Sequence, residues 1–317
     1  MKTYKNGENL KRAIQDIKSE IDYKFEQKKR NRTQTMEHII HGIFLLLGLI
    51  TVGCVLLITI YLVISGIPAI REIGLADFLL GREWASTARE PKYGIMPFIL
   101  TSIYGTAGAI AIGVPVGFMT AVYLSKMASP KVKSAMQTAV SLLAGIPSVV
   151  YGLVGMLVLV PGIRKVFNVP DGASLLAAIV VLAIMILPSI IKMSVTALDA
   201  VPKEYEDASL ALGATPVETC FRVSVPAARS GIAAAVVLGV GRAIGEAMAV
   251  MMVAGNVPNM PDSLFQSVRF LTTAVYSEMS YSSGLQRQAL FSIALVLFLF
   301  IMLINVTLNF FLKKEKE

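Results

Sequence analysis

Residues 230–255, SGIAAAVVLGVGRAIGEAMAVMMVAG, form an apolar run with Arg242 and Glu246 inside it. About 20 residues suffice to cross a bilayer, so the run reads as a membrane span. An arginine at mid-membrane costs about 2.5–3.5 kcal/mol on insertion scales. Two readings explain why it is there. On one helix, residues four apart share a face, so Glu246 can neutralise Arg242 in an ion pair that only fixes packing. Alternatively, the charges line a route for a charged solute. Ala235, Gly239, Ala249 and Val253 continue the stripe through the pair, and Gly241 and Gly245 thin the adjacent side. Small residues there let a helix or a solute approach closely.

Five more runs of spanning length lie at 39–67, 98–124, 135–161, 174–194 and 289–312. The expected fold is therefore all-α, a polytopic membrane protein with six transmembrane helices. Composition agrees. The 317-residue chain is 55% hydrophobic and only 16% charged, whereas soluble proteins carry about a quarter charged residues. In so apolar a chain the net charge of +8 reports cytoplasmic loops and anionic lipid, not nucleic acid. Cys54 and Cys220 cannot build a disulfide framework. His38 and His41, the two histidines, read as a polar rim at the first span and not as metal ligands. No cofactor or metal is expected.

Lys and Arg set the orientation. Twenty of the 29 are the ten in residues 1–38, Lys126, Lys131 and Lys133, Lys192 at the end of span four with Lys203, Arg222 and Arg229 after it, and the three after span six. The alternate loops hold eight, and Arg242 is the last. The positive-inside rule then places both termini in the cytoplasm. The expected organisation is a cytoplasmic segment 1–38, span one at 39–67, an extracytoplasmic loop 68–97, a core 98–312 and a short tail 313–317. With 38 polar residues ahead of it, the first span is not a signal peptide. Leu10, Ile14, Ile17, Ile21 and Phe25 give residues 8–30 an amphipathic helical pattern, fit for a membrane-surface or solvated helix. Trp84 in the outer loop is either an interfacial aromatic anchor or part of a docking surface.

Residues 197–228 form the longest cytoplasmic connection. Pro202 suits a helix start, and Glu204 and Glu206 complement it. Gly213 breaks that helix and a second opens near Pro216. A helix–glycine–helix elbow of this kind fits either a structured connector or a plug for a partner's groove. The elbow resembles the coupling loop of type I ABC-transporter permeases, E-A-A, three residues, Gly, nine residues, I-x-L-P. Here Asp207-Ala208-Ser209, Gly213 and Val223-Ser224-Val225-Pro226 keep that spacing, with Asp for Glu, Ser for Ala and Val for Ile and Leu. The resemblance implies the type I ABC permease fold. It also implies that Glu206, Asp207, Ala208, Ser209, Gly213 and Pro226 meet a separate ABC ATPase subunit, present in two copies. No G-x-x-x-x-G-K-[ST] phosphate loop occurs in the sequence, so the chain reads as a transport subunit without catalytic residues.

Further stretches are similar to the phosphate permeases: FLLGREW (78–84), LLAGIPSVVYGLVG (142–155), GRAIGEAMAV (241–250) and SLFQSVRFLTTAVYSEMSYSSGLQRQALF (263–291). The likeness runs from about residue 78 to 305 and favours the PstC type over the paralogous PstA type. It implies import of inorganic phosphate with a PstA-type second permease subunit and an extracytoplasmic phosphate-binding protein. A guanidinium presents a donor fork matched to a tetrahedral oxyanion, so Arg242 is expected to attract the anion. Glu246 would temper that attraction and accept a hydrogen bond from protonated phosphate. Pro147 is expected to kink span three and set the hydroxyls of Ser148 and Tyr151 near the opening, either facing the route or in a packing kink that touches no ligand. Thr101, Ser102 and Thr106 are lesser candidates for the same route. Rival readings are a permease for sulfate or molybdate, an ion-coupled secondary transporter, and a membrane enzyme; the last would need a convergent catalytic set, which the sequence does not offer.

Overall fold

A computed structural model describes the backbone of residues 2–314 and the side chains of residues 36–307. The chain divides into two units, residues 1–61 and residues 62–317. The first unit belongs to helix α1 (Lys2–Ile73), so residues 8–30 are helical; the side chains of the amphipathic pattern there lie outside the described ones. From Met36 onward α1 is long and apolar enough to span a membrane. Phe44, Leu49 and Leu57 are among the exposed apolar side chains along it, as lipid contact requires.

In the second unit a short α2 (Leu75–Leu80) leads into a two-stranded hairpin, β1 (Trp84–Ala85) and β2 (Lys92–Tyr93), with Trp84 opposite Tyr93. There follow α3 (Met96–Val122), α4 (Pro130–Gly145), α5 (Ser148–Val154), α6 (Val160–Phe167) and α7 (Leu175–Asp199). Beyond them come α8 (Lys203–Ala211), α9 (Pro216–Thr219), α10 (Val225–Ala227), α11 (Arg229–Gly245), α12 (Met248–Val253), α13 (Leu271–Glu278) and α14 (Gly284–Lys314). Among the described residues five helices or helix series have the length and apolarity of a span. A sixth is completed if Pro216–Ala227 and Arg229–Gly245, bent by 71°, are counted as one. Wide π-type turns interrupt the helices at Tyr123–Met127, Gly155–Leu159 and Cys220–Ser224.

α7 is the most buried of these spans. It packs on α3 through a seam of notches: methyl groups placed on Gly108, Gly113 and Gly117 would meet the side chains of Ile179, Ile186 and Ile190 at 2.7–2.9 Å. Backbones approach this closely only where the facing residue has no side chain. α11 adds to the same core, with Gly239 against Ile190.

Two of the expected spans are not continuous helices. The run 135–161 breaks at Ile146 and Pro147, both extended, between α4 and α5. Proline cannot donate a helical hydrogen bond and pushes the preceding residue out of the helical region, which accounts for the break. The run 230–255 breaks at Glu246 and Ala247, between α11 and α12, with Glu246 extended (ψ 128°). No proline marks that second break.

Trp84 is neither an aromatic anchor at a lipid interface nor part of an open surface. It is 6% exposed, packs on Tyr93 and Phe98 with ring centroids 5.6 and 5.5 Å away, and gives its indole N–H to Glu278. The sequence expectation missed this because its partner lies 194 residues away.

Candidate solute route and coupling elbow

The two helix breaks are brought together because α5 packs directly on α12. Gly152 makes the approach possible: a methyl group there would sit 2.8 Å from Met252 Sδ and 2.9 Å from Ala249 Cα. Gly155 is similarly filled by Val253. At the first break the α4 carbonyls lose their helical partners, and Tyr151 Oη donates to Leu143 O at 2.7 Å across the gap. Ser148 opens α5 half-buried. Its hydroxyl has no hydrogen-bond partner among the described residues.

Arg242 occupies the last turn of α11, where a cation complements the negative end of a helix. It lies close enough to Tyr151 for its charge to act on the phenol. Glu246 falls outside α11, so the intrahelical pair with Arg242, one of the two readings of the sequence, does not form. Its carboxylate instead accepts from the Ala249 N–H at 3.0 Å in the first turn of α12. Its own carbonyl accepts from Thr272 Oγ1 at 2.9 Å. The break thus separates the two charges onto two helices, each set against the helix end of opposite sign.

Arg242 has no hydrogen-bond or ion-pair partner among the described residues. It lines an open groove of about 850 Å³ whose other polar residues are Ser189 and Asn305. A lone guanidinium, a hydroxyl and an amide make an oxyanion-compatible set. Ser189 and Asn305 escaped the sequence reading because they lie in different spans and nothing in the local sequence of either points to the other.

The small-residue stripe divides. Ala235, Gly239, Ala249 and Val253 are buried in helix packing, while Gly241 and Gly245 meet nothing within 4 Å and leave their side open. Thr101, Ser102 and Thr106 are not at the groove. All three are buried, and Ser102 Oγ accepts from the Leu271 N–H at 3.0 Å, holding α13 on α3.

At the other end, the elbow 197–228 presents apolar side chains outward. Leu212 is 91% exposed, with Tyr205, Leu210, Val217 and Phe221 exposed beside it. Gly213 turns the chain with φ +89°, a conformation glycine adopts without strain. Thr215 and Glu218 form a capping box that starts α9, and Ser209 and Thr219 hydroxyls close the elbow at 2.9 Å. Asp207, Ala208 and Pro226 are exposed.

Glu206 points the other way. It accepts from Lys126 Nζ at 2.5 Å and from Ser224 Oγ at 2.8 Å, both in wide turns. Burial works against its charged form, but those hydrogen bonds and the Lys126 charge outweigh it and hold the carboxyl below its usual range. This latch is intact at neutral pH and loosens only as pH falls through that lowered value. Asp199, accepting from Ser125 and Lys133, ties the same end of α3 to α7.

Membrane-spanning helices with an exposed apolar elbow at one end and an unpaired cation in a groove are the parts a membrane transport component needs. Residues 113–314 match the family described as the inner membrane component of binding-protein-dependent transport systems. The probable ABC transporter permease protein YqgH of Bacillus subtilis (strain 168) is 40% identical over 266 residues, 81% of this chain and 86% of its own length. The phosphate transport system permease protein PstC of Haemophilus influenzae is 33% identical over 297 residues, 87% of this chain and 92% of its own. The inward-facing MetNI methionine ABC transporter supplies a solved chain with TM-score 0.53 at 20% identity, covering 70% of this chain and 94% of that one; this likeness shows the fold. The chain belongs to the binding-protein-dependent transport permeases, and within them to the PstC group. It is a multi-pass membrane transport component and not an enzyme, in a family that associates with an ATPase subunit and a substrate-binding protein.

Proposed function

We propose that this chain is the permease subunit of an ATP-driven importer of inorganic phosphate, with both termini cytoplasmic. The observation that carries the reading is Arg242, unpaired in an open groove and four residues before the helix break at Glu246. Irregular backbone inside a span is tolerated only where it is covered by protein or lines a watery cavity, and broken helices often form transport sites. Arg242 lowers the barrier for the anion, with Ser189 and Asn305 offering further polar contacts. Glu246, held at the start of α12, sets a negative charge near the route and discriminates by accepting a proton-bearing oxygen, which phosphate has and sulfate lacks at neutral pH. Tyr151 and Ser148 border the first break. The PstC relatives support phosphate as the solute.

The exposed apolar elbow fits the cleft of an ATPase subunit. Two ATPase copies, a second permease subunit of PstA type and an extracytoplasmic phosphate-binding protein complete the assembly. Substituting Leu212→Asp would place a charge at the centre of that contact. It is expected to abolish recovery of the ATPase with this chain in affinity purification; undiminished recovery would show that the elbow does not dock it.

The test of substrate is uptake of radiolabelled phosphate and sulfate into vesicles containing the complete transporter and ATP. Glu246→Gln retains an acceptor for the Ala249 N–H but loses the charge. Phosphate preference over sulfate is expected to fall about tenfold, the effect of roughly 1.4 kcal/mol. Equal loss for both anions would remove Glu246 from selectivity.

A further inference from the structure

The eight-residue α13 holds more than its length requires. Near its start, Thr272 Oγ1 grips the Glu246 carbonyl. At its end, the Glu278 carboxylate accepts from Trp84 Nε1 (3.2 Å), Ser86 Oγ (3.2 Å) and Gln286 Nε2 (3.1 Å), and is ion-paired to Arg269. Arg269 lies two residues before α13 and stacks over Phe98. Its Nε donates to Asn256 O at 2.8 Å. Asn256, just after α12, has φ +58° and gives its side-chain amide to Met251 O at 2.6 Å. α12 is therefore held on both sides by one piece of structure: at Glu246 through Thr272, and at Met251 through Arg269 and Asn256. That piece is anchored on the hairpin by a single carboxylate with donors from four directions.

We propose that Glu278 is a positioning residue for the solute route, tying the 84–93 hairpin to the helix break at Glu246. It rests on the reading above in one respect, that Glu246 borders the route. A displacement of the hairpin, which the proposed orientation sets on the outer surface where a binding protein arrives, reaches Glu246 through α13. Partial burial supports a mechanical link: the Arg269 and Glu278 side chains are 16% and 20% exposed, and a charge pair shielded from water and hydrogen-bonded on several sides resists partial opening.

The test uses the complete transporter in vesicles, with Cys54→Ser as background and Met248→Cys in α12 as a thiol-labelling probe. Glu278→Gln keeps an acceptor for the hairpin but breaks the pair with Arg269. Ser86→Ala removes one hairpin contact, and Thr272→Val cuts the link at Glu246 without touching Glu278. Each is expected to change the labelling rate at position 248 and the phosphate-to-sulfate uptake ratio by roughly 3- to 10-fold. A general folding defect would lower uptake of both anions without moving their ratio. Unchanged labelling in Glu278→Gln and Thr272→Val overturns the proposal. If labelling changes while Glu246→Gln leaves anion preference intact, the strut stands and the role given to Glu246 falls.

Discussion

Substituting Arg242→Ala is expected to abolish phosphate uptake by the assembled transporter while ATP hydrolysis persists. The guanidinium is the groove's only charged side chain among its lining residues. Two unit charges about 4 Å apart interact by about 4 kcal/mol at the effective dielectric of a protein surface. Losing that attraction slows passage by roughly three orders of magnitude. Arg242→Lys keeps the charge but not the planar donor fork, so it should restore part of the rate. Initial uptake of radiolabelled phosphate, measured beside ATP turnover in the same vesicles, checks both. Uptake within a few-fold of the natural protein would show that the anion passes elsewhere. Loss of hydrolysis as well would point to failed assembly.

The second large effect is expected from Gly152→Leu. Its Cβ would stand 2.9 Å from Ala249 Cα, and backbone cannot yield as a flexible side chain can. Overpacking costs about 1–3 kcal/mol, and here it separates the two breaks, so transport should be lost along with stability. Gly162→Ala meets nothing within 4 Å and adds a good helix former in α6, so it should be tolerated. Thermal denaturation in detergent, followed through the tryptophan fluorescence of Trp84, separates the variants. Equal melting of the two would mean that α5 and α12 do not depend on the notch at Gly152.

The sequence discloses a feature best where one residue carries the physics alone. Arg242 stood out as a charge in an apolar run, and Pro147 announced its own break. The elbow showed itself through Pro202, Gly213 and Pro216. The break at Glu246 had no such marker, because it is stabilised by the Ala249 N–H and by Thr272, 26 residues away; the helical period ran straight through it. Still longer separations hid the Glu206–Lys126 latch, whose residues are 80 apart, and the Trp84–Glu278 contact, 194 apart. The coupling-loop resemblance set Glu206 among the residues that meet an ATPase, whereas its two partners, Lys126 and Ser224, turn its side chain inward. Ser189 and Asn305 gain meaning only when their spans converge.

The interrupted backbones at 146–147 and 246–247 have one more consequence. Gly145, Pro147 and Gly245 are exposed, so peptide groups there face outward within segments that otherwise belong in oil. Hydrocarbon cannot solvate them. A solitary copy in a bilayer would meet this cost at both interruptions, which makes stable monomers unfavourable and ties the lifetime of the chain to whatever neighbour or water column shelters those amides.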